Sequence, residues 1–130
     1  MRRGVYWGMA WDVEYTDEFG EWWDSLDASE QDAVDSVVGL IEARGPHLGY
    51  PFSSKISTSS YAQMRELRIQ HRGEPYRVLY AYDPRRVALL LIGGAKGGDD
   101  RWYERFVPRA DALYERHLEA LRKEGASDDP

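Results

Sequence analysis

The stretch MRELRIQHRGEPYRVLYAYDPRRVALLLIGGAKGG, Met64 to Gly98, decides the fold. From Met64 to His71, Leu67 and Ile69 share one face while Glu66, Arg68 and Gln70 share the other, the period-two pattern of a strand. A short turn with Gly73 and Pro75 leads into Tyr76–Tyr82. There Tyr76, Val78, Tyr80 and Tyr82 alternate with Arg77, Leu79 and Ala81. Asp83-Pro84 marks the next turn. Val87–Ile92 is then continuously apolar, as expected of a strand covered on both faces and central in its sheet. Connections this short predict an antiparallel meander of three strands. The run Gly93-Gly94-Ala95-Lys96-Gly97-Gly98 reads as the loop that ends it.

Upstream, Trp11, Val13 and Tyr15 alternate with Asp12 and Glu14 as a further, half-buried strand. Thr16 or Asp17 can cap a brief helix bearing Phe19, Trp22, Trp23 and Leu26. Asp27 with Glu30 three residues later has the form of a capping box. The helix it opens carries Ala33, Val34, Val37, Val38 and Ile41 as its apolar stripe, with Asp32, Asp35 and Glu42 on the wet side. Gly45 and Pro46 stop it. Residues 46–63, rich in Ser, Gly and Pro, read as a long surface loop whose one formal charge is Lys55.

Downstream, Asp99 or Asp100 caps a turn with Trp102, Tyr103 and Phe106. Pro108 predicts a break or kink. Ala110, Leu113, Tyr114, His117, Leu118 and Leu121 continue as a helical stripe, and 124–130 should fray. The order β-α-α-β-β-β-α predicts an α+β class: an N-terminal strand and α-hairpin packed on a mostly antiparallel sheet, with a C-terminal helix. One domain, 1–130, with its core at about 11–121, accommodates it.

The 130 residues contain no cysteine, which removes disulfides, thiolate metal sites and thiol nucleophiles. No apolar run approaches the roughly 18 residues of a membrane span, and acidic residues follow MRRG where a signal peptide would be apolar. A cytoplasmic protein without a membrane partner is expected. The net charge of −6 conceals a division: 1–43 carry −9, 44–97 carry +6 and 98–130 carry −3. A basic middle between acidic ends permits a local anion-binding surface that the total would hide.

His47, His71 and His117 show no metal-ligand spacing, so no metal and no cofactor is expected. GGAKGG is not a Walker loop, because Gly97 follows Lys96 where that motif needs Lys-Ser/Thr. Its glycines can expose amide donors beside one cation, or can simply give a flexible connection. Arg77, mid-strand among apolar neighbours, either pairs with Glu66 or Glu74, or lines a groove for RNA phosphates with Arg65, Arg68 and Lys96. Tyr76, Tyr80, Tyr82 and Trp102 offer stacking surface but are mostly expected in the core.

Taken together, MRELRI (64–69), YRVLY (76–80), the apolar strand into Gly94-Ala95-Lys96, the final helix and WDVEYTDEFGEWWDSL (11–26) resemble the RelE/ParE toxin superfamily, in its phage-derived HigB-like branch. The resemblance covers about residues 11–121. It implies a RelE-like fold with a curved sheet, and metal-free endoribonuclease cleavage of mRNA on the ribosome, in which the ribose 2′-OH attacks phosphorus. By the same resemblance Arg77 stabilises the phosphate, Lys96 is the cation after the last strand, and Tyr103 stacks or transfers a proton. Arg65, Arg68, Lys55 and His71 are then RNA-binding candidates, His71 also as a recruited base. Gly97 replaces a second cation common in the family, and Met64 and Glu66 stand where lysines are often found. Expected partners are a helix-turn-helix, HigA-like antitoxin, mRNA and the ribosome, with DNA reached only through the antitoxin. The other reading is a non-nuclease module of the same fold, such as a ParE-like gyrase inhibitor. The acidic total favours a substrate already positioned by the ribosome over free RNA.

Overall fold

The computed structural model describes residues 11–128, with side chains to 125; the basic N-terminal MRRG and residues 129–130 lie outside. Strand β1 (Val13–Tyr15) precedes helices α1 (Asp17–Asp24) and α2 (Ala28–Arg44) and a 3-10 turn at Gly45–His47. Strands β2 (Ser53–Lys55), β3 (Arg65–His71), β4 (Glu74–Tyr82) and β5 (Ala88–Ala95) follow, and helix α3 (Trp102–Asp128) completes the chain. The sheet order is β1-β5-β4-β3-β2. All pairs are antiparallel except β1 with β5, so the α+β class and the meander stand.

Local chemistry accounts for the boundaries. The Thr16 hydroxyl accepts from the Phe19 amide at 3.0 Å and starts α1. Asp27 and Glu30 form the reciprocal capping box of α2, and Gly45, at φ +56°, ends that helix in a conformation that favours glycine. Arg72 and Gly73 both have positive φ, as a two-residue type I′ hairpin between β3 and β4 requires.

Two cores cover the two faces of the sheet. On one, α1 and α2 bring Phe19, Val34, Val38 and Ile41 against Leu67, Ile69, Val78, Tyr80 and Leu90. On the other, α3 brings Trp102, Val107, Ala110, Leu113 and Tyr114 against Leu79, Ala81, Leu89 and Leu91. The pairing of β4 with β5 slips between Leu79 and Tyr80, so that Leu91 is the extra residue of a bulge. Its carbonyl is taken by the Thr16 hydroxyl at 2.6 Å.

Several expectations need correction. Residues 46–63 are not one loop: Ser53–Lys55 pairs with Leu67, Glu66 and Arg65 as an edge strand, and Leu48 and Ile56 are buried. The central strand is β4; β5, covered on both faces, lies one place out. Gly93, Gly94 and Ala95 belong to β5, so the following loop begins only at Lys96. Pro108 lies inside α3, which is continuous past it and runs to Asp128. Glu42 is 2% exposed. Trp11 lies against Gly45, its amide donates to the Glu42 carbonyl at 2.9 Å, and the end of α2 is thereby covered.

Candidate functional site

Alternation along β3 and β4 sorts the cations onto two faces. Glu66 and Arg68 on β3, and Arg77 on β4, point to the α3 side; Arg77 lies directly opposite Arg68 in the strand register. Like charges in that position repel unless a counter-charge intervenes. Glu66 supplies it. Its Oε1 lies 3.2 Å from Arg77 Nε, and its Oε2 lies 3.6 Å from Arg68 Nη1. The Arg–Glu pairing considered from the sequence therefore exists, with Glu66 as the mate.

The first turn of α3 completes the cluster. The Tyr103 hydroxyl donates to Glu66 Oε1 at 2.5 Å and accepts from Arg77 Nε at 3.4 Å. Ser54 on the edge strand donates to Glu66 Oε2 at 2.7 Å. Burial, then the hydrogen bond to the Glu66 carboxylate, push the Tyr103 phenol above its ordinary value, outweighing Arg77. Tyr103 therefore keeps its proton at neutral pH and remains a donor. Arg77 itself is only 5% exposed, and its Nη1 also donates to the Tyr76 carbonyl at 3.0 Å.

Lys96 reaches the same cluster from the end of β5. Its amide donates to the Pro75 carbonyl at 2.8 Å, and its Nζ lies 5.4 Å from the centre of the Tyr103 ring, a cation–π distance. The glycines before it serve packing. A Cβ at Gly93 would stand 2.3 Å from the Trp22 ring, and one at Gly94 2.8 Å from Trp102 Nε1. Both indoles approach the β5 backbone closely, and seating Trp102 places its neighbour Tyr103. Neither reading made of these glycines from the sequence, exposed amides or flexibility, describes what Gly93 and Gly94 do.

A cleft of about 330 Å³ opens over the cluster, lined by Lys55, Ile56, Ser57, Thr58, Glu66 and Tyr103. Its outer wall is held rigidly, because Ser59 and the Ser60 amide both donate to Asp111 on α3 at 2.5 and 2.9 Å. The structure thus brings together Arg77, Lys96, Tyr103, Lys55 and Arg68. It separates Arg65 and His71. Both lie on the α1–α2 face, Arg65 donating to Ser53 Oγ at 3.0 Å and His71 Nε2 standing 3.0 Å from Ser29 Oγ. Tyr76, Tyr80, Val78 and Trp102 are core residues.

Sequence reading assigned Glu66 no more than a counter-ion role. Its position on the polar face of β3 was visible; that Tyr103 and Ser54 converge on it was not. A second charge cluster was missed altogether. Asp83, just after β4, accepts from Arg85 Nη2 at 2.7 Å and from the Arg85 and Val87 amides, and lies 2.8 Å from His117 Nε2. Arg85 also bonds the buried Glu14 at 2.8 Å. Among the described residues no group of three or more His, Asp or Glu is arranged to hold a metal ion.

An α-hairpin and a long C-terminal helix enclosing a meander, with a carboxylate–phenol–guanidinium cluster under a lysine-flanked cleft, define a class of small α+β proteins. The chain belongs to the family described as phage derived protein Gp49-like, whose pattern matches residues 21–115. It is 39% identical over 98 residues to the protein named "Putative toxin HigB3" of Mycobacterium tuberculosis (strain ATCC 25618 / H37Rv), covering 75% of this chain and 84% of that one. It is 33% identical over 113 residues to "Putative toxin HigB2" of the same organism, covering 85% of this chain. This chain spans about half, 55%, of the length of that second relative.

Proposed function

We propose that this protein is the toxin of a type II toxin–antitoxin module, of the RelE/ParE superfamily, and that it cuts mRNA in the ribosome without a metal ion. The names of its relatives support the toxin reading. The observation that carries the chemistry is the hydrogen-bonded pair of Glu66 and Tyr103, backed by Arg77 and roofed by Lys96.

In this mechanism the Glu66 carboxylate takes the proton of the ribose 2′-OH as its oxygen forms a bond to phosphorus. The bond from phosphorus to the 5′ oxygen breaks, and the Tyr103 phenol protonates that oxygen. Glu66 then returns its proton to the phenolate along the bond they already share. Protons balance, and the products are a 2′,3′-cyclic phosphate and a 5′-hydroxyl. Lys96 and Lys55 hold the phosphate charge from the open side. Arg77, sealed behind Glu66, is a positioning residue: its ion pair holds the carboxylate in place and aimed. Arg68 extends the cationic row towards the next nucleotide.

Ribosome-containing translation reactions test this directly. Wild-type protein should yield fragments ending in cyclic phosphate, and Glu66→Gln and Tyr103→Phe should leave the transcript intact. An intact transcript with wild-type protein overturns the nuclease reading. One observation favours the second reading, a ParE-like gyrase inhibitor: Arg77 is neutralised and buried, as a purely structural pair would be. Inhibited supercoiling with uncut mRNA would establish it. In both readings a HigA-like helix-turn-helix antitoxin is the partner and the contact to DNA. Failure of the neighbouring gene's product to co-purify would remove that partner.

A further inference from the structure

A second cleft adjoins the first, sharing Thr58 and Tyr103 with it. It is lined by Thr58, Tyr103, Glu104, Val107 and Pro108 and measures about 160 Å³. That is close to the roughly 150 Å³ of cavities that accept one benzene ring. The two clefts differ in chemistry. The first has Lys55 and the Glu66 cluster; the second has the exposed ring of Pro108 above the buried Val107 and no cationic lining residue.

The polar groups of the second cleft are hydrogen-bond acceptors. Glu104 is exposed, and among the described residues its carboxylate has no hydrogen bond or ion pair. Pro108 lacks an amide hydrogen, so the Glu104 carbonyl four residues earlier also loses its helical donor. Thr58 adds a hydroxyl that can accept or donate. The proline that interrupts the hydrogen-bond pattern of α3 thus lies in the wall of a small, acceptor-rich cleft.

We infer that this cleft is a nucleobase subsite that selects the base flanking the cut, and that Glu104 is its specificity-determining residue. The inference rests on the nuclease reading. A nucleotide seated at Tyr103 places its phosphate toward Lys55 and Lys96, and its base against Pro108 and the Tyr103 ring, over the buried Val107. The carboxylate repels phosphate and so fixes that orientation. It accepts hydrogen bonds from a base edge bearing an amino group, best from guanine, whose N1–H and N2–H₂ match both carboxylate oxygens. Uracil, with one ring N–H and two carbonyl oxygens, is disfavoured. A good two-point contact of this kind corresponds to about 5- to 150-fold discrimination.

The experiment is a translation reaction on transcripts randomised over two codons, with cut sites read by sequencing for wild-type, Glu104→Gln and Glu104→Ala proteins. Wild type should prefer amino-bearing bases over uracil at one position beside the cut by at least about fivefold. Glu104→Ala should flatten that position alone, and Glu104→Gln, which offers both donor and acceptor, should admit uracil there. Loss of folding would lower all cutting without reshaping the profile, so the profile reports the contact itself. Cutting by wild type with a profile unchanged in both variants, or a wild-type preference for uracil, overturns the subsite while the nuclease reading stands. No cutting by wild type overturns the nuclease reading and the subsite with it.

Discussion

Glu66 and Asp83 are both nearly buried carboxylates on the α3 side of the sheet, and both are surrounded by cationic partners, yet they are built for different ends. Asp83 is enclosed: its side chain has no exposed surface, and both oxygens are filled by Arg85, His117 and backbone amides. Its partners come from the β4–β5 turn and α3, and Arg85 extends the network to β1 through Glu14. Glu66 instead borders an open cleft, and the phenol that meets it belongs to a residue still partly exposed. Two exposed or half-exposed lysines, Lys55 and Lys96, stand nearby. A closed cluster ties elements together. An open one with surplus cations can exchange a partner for a ligand.

Removing one member of each cluster should separate these roles. The largest effect is expected from Asp83→Ala, which takes the acceptor from His117 and from the Arg85 and Val87 amides while Arg85 keeps Glu14, and should cost about 2–4 kcal/mol in chemical denaturation. On the proposed nuclease reading, cleavage per folded molecule should persist. If Asp83→Ala abolishes cleavage at full folding, the two clusters are not distinct. Lys96→Met should do the reverse, lowering cleavage by about 100-fold while the melting temperature stays within about 2 °C. Gly94→Ala should damage both properties, because its Cβ would displace Trp102 and hence Tyr103; a cost of about 1–3 kcal/mol is expected, with a fall in cutting. Unchanged cutting would show that Tyr103 does not depend on how Trp102 is seated.

The smallest effect is in pH. Burial opposes ionisation of Asp83, but the bonds from His117, Arg85 and the Val87 amide outweigh it and lower its pKa below the ordinary aspartate value. A carboxylate with a depressed folded-state pKa contributes stability above its unfolded value of about 3.8–3.9, and loses it as pH falls through the folded one. The stability difference between wild type and Asp83→Asn should therefore be constant near neutrality and shrink only below about pH 3.8. A difference that closes already between pH 7 and 5 would show that ionised Asp83 is not what sustains the clasp.

The sequence made the frame legible where local rules act alone. Alternation defined β3 and β4, the Asp27–Glu30 pair opened α2 and Gly45 closed it, as the structure shows. It hid β2, because Ser53-Ser54-Lys55 is too short and polar to show alternation and is held by its pairing with β3. Pro108 does not break α3, because the helix is anchored on both sides of it by Trp102, Val107, Ala110 and Tyr114 in the core. Of the candidate site, Arg77, Lys96 and Tyr103 stood out in the sequence, and the structure brings them together. The convergence of Ser54, Glu66 and Tyr103 spans 49 positions and had no signature in any local pattern. Glu14, Asp83, Arg85 and His117 failed to stand out for the same reason.

The parallel pairing of β1 with β5, joining Val13 to Ala88, has a consequence for how the chain comes into being. During synthesis at about 5–20 residues per second, β1 waits roughly 4–15 s for its partner strand to be made. The meander closes by local hairpins, whereas this contact carries a large loop-closure entropy. Lys96 and Tyr103 are made later still, so the cleft is absent from any nascent chain that ends before the first turn of α3. A growing polypeptide thereby carries the meander well before it carries the cleft, which takes shape only once the start of α3 has been made.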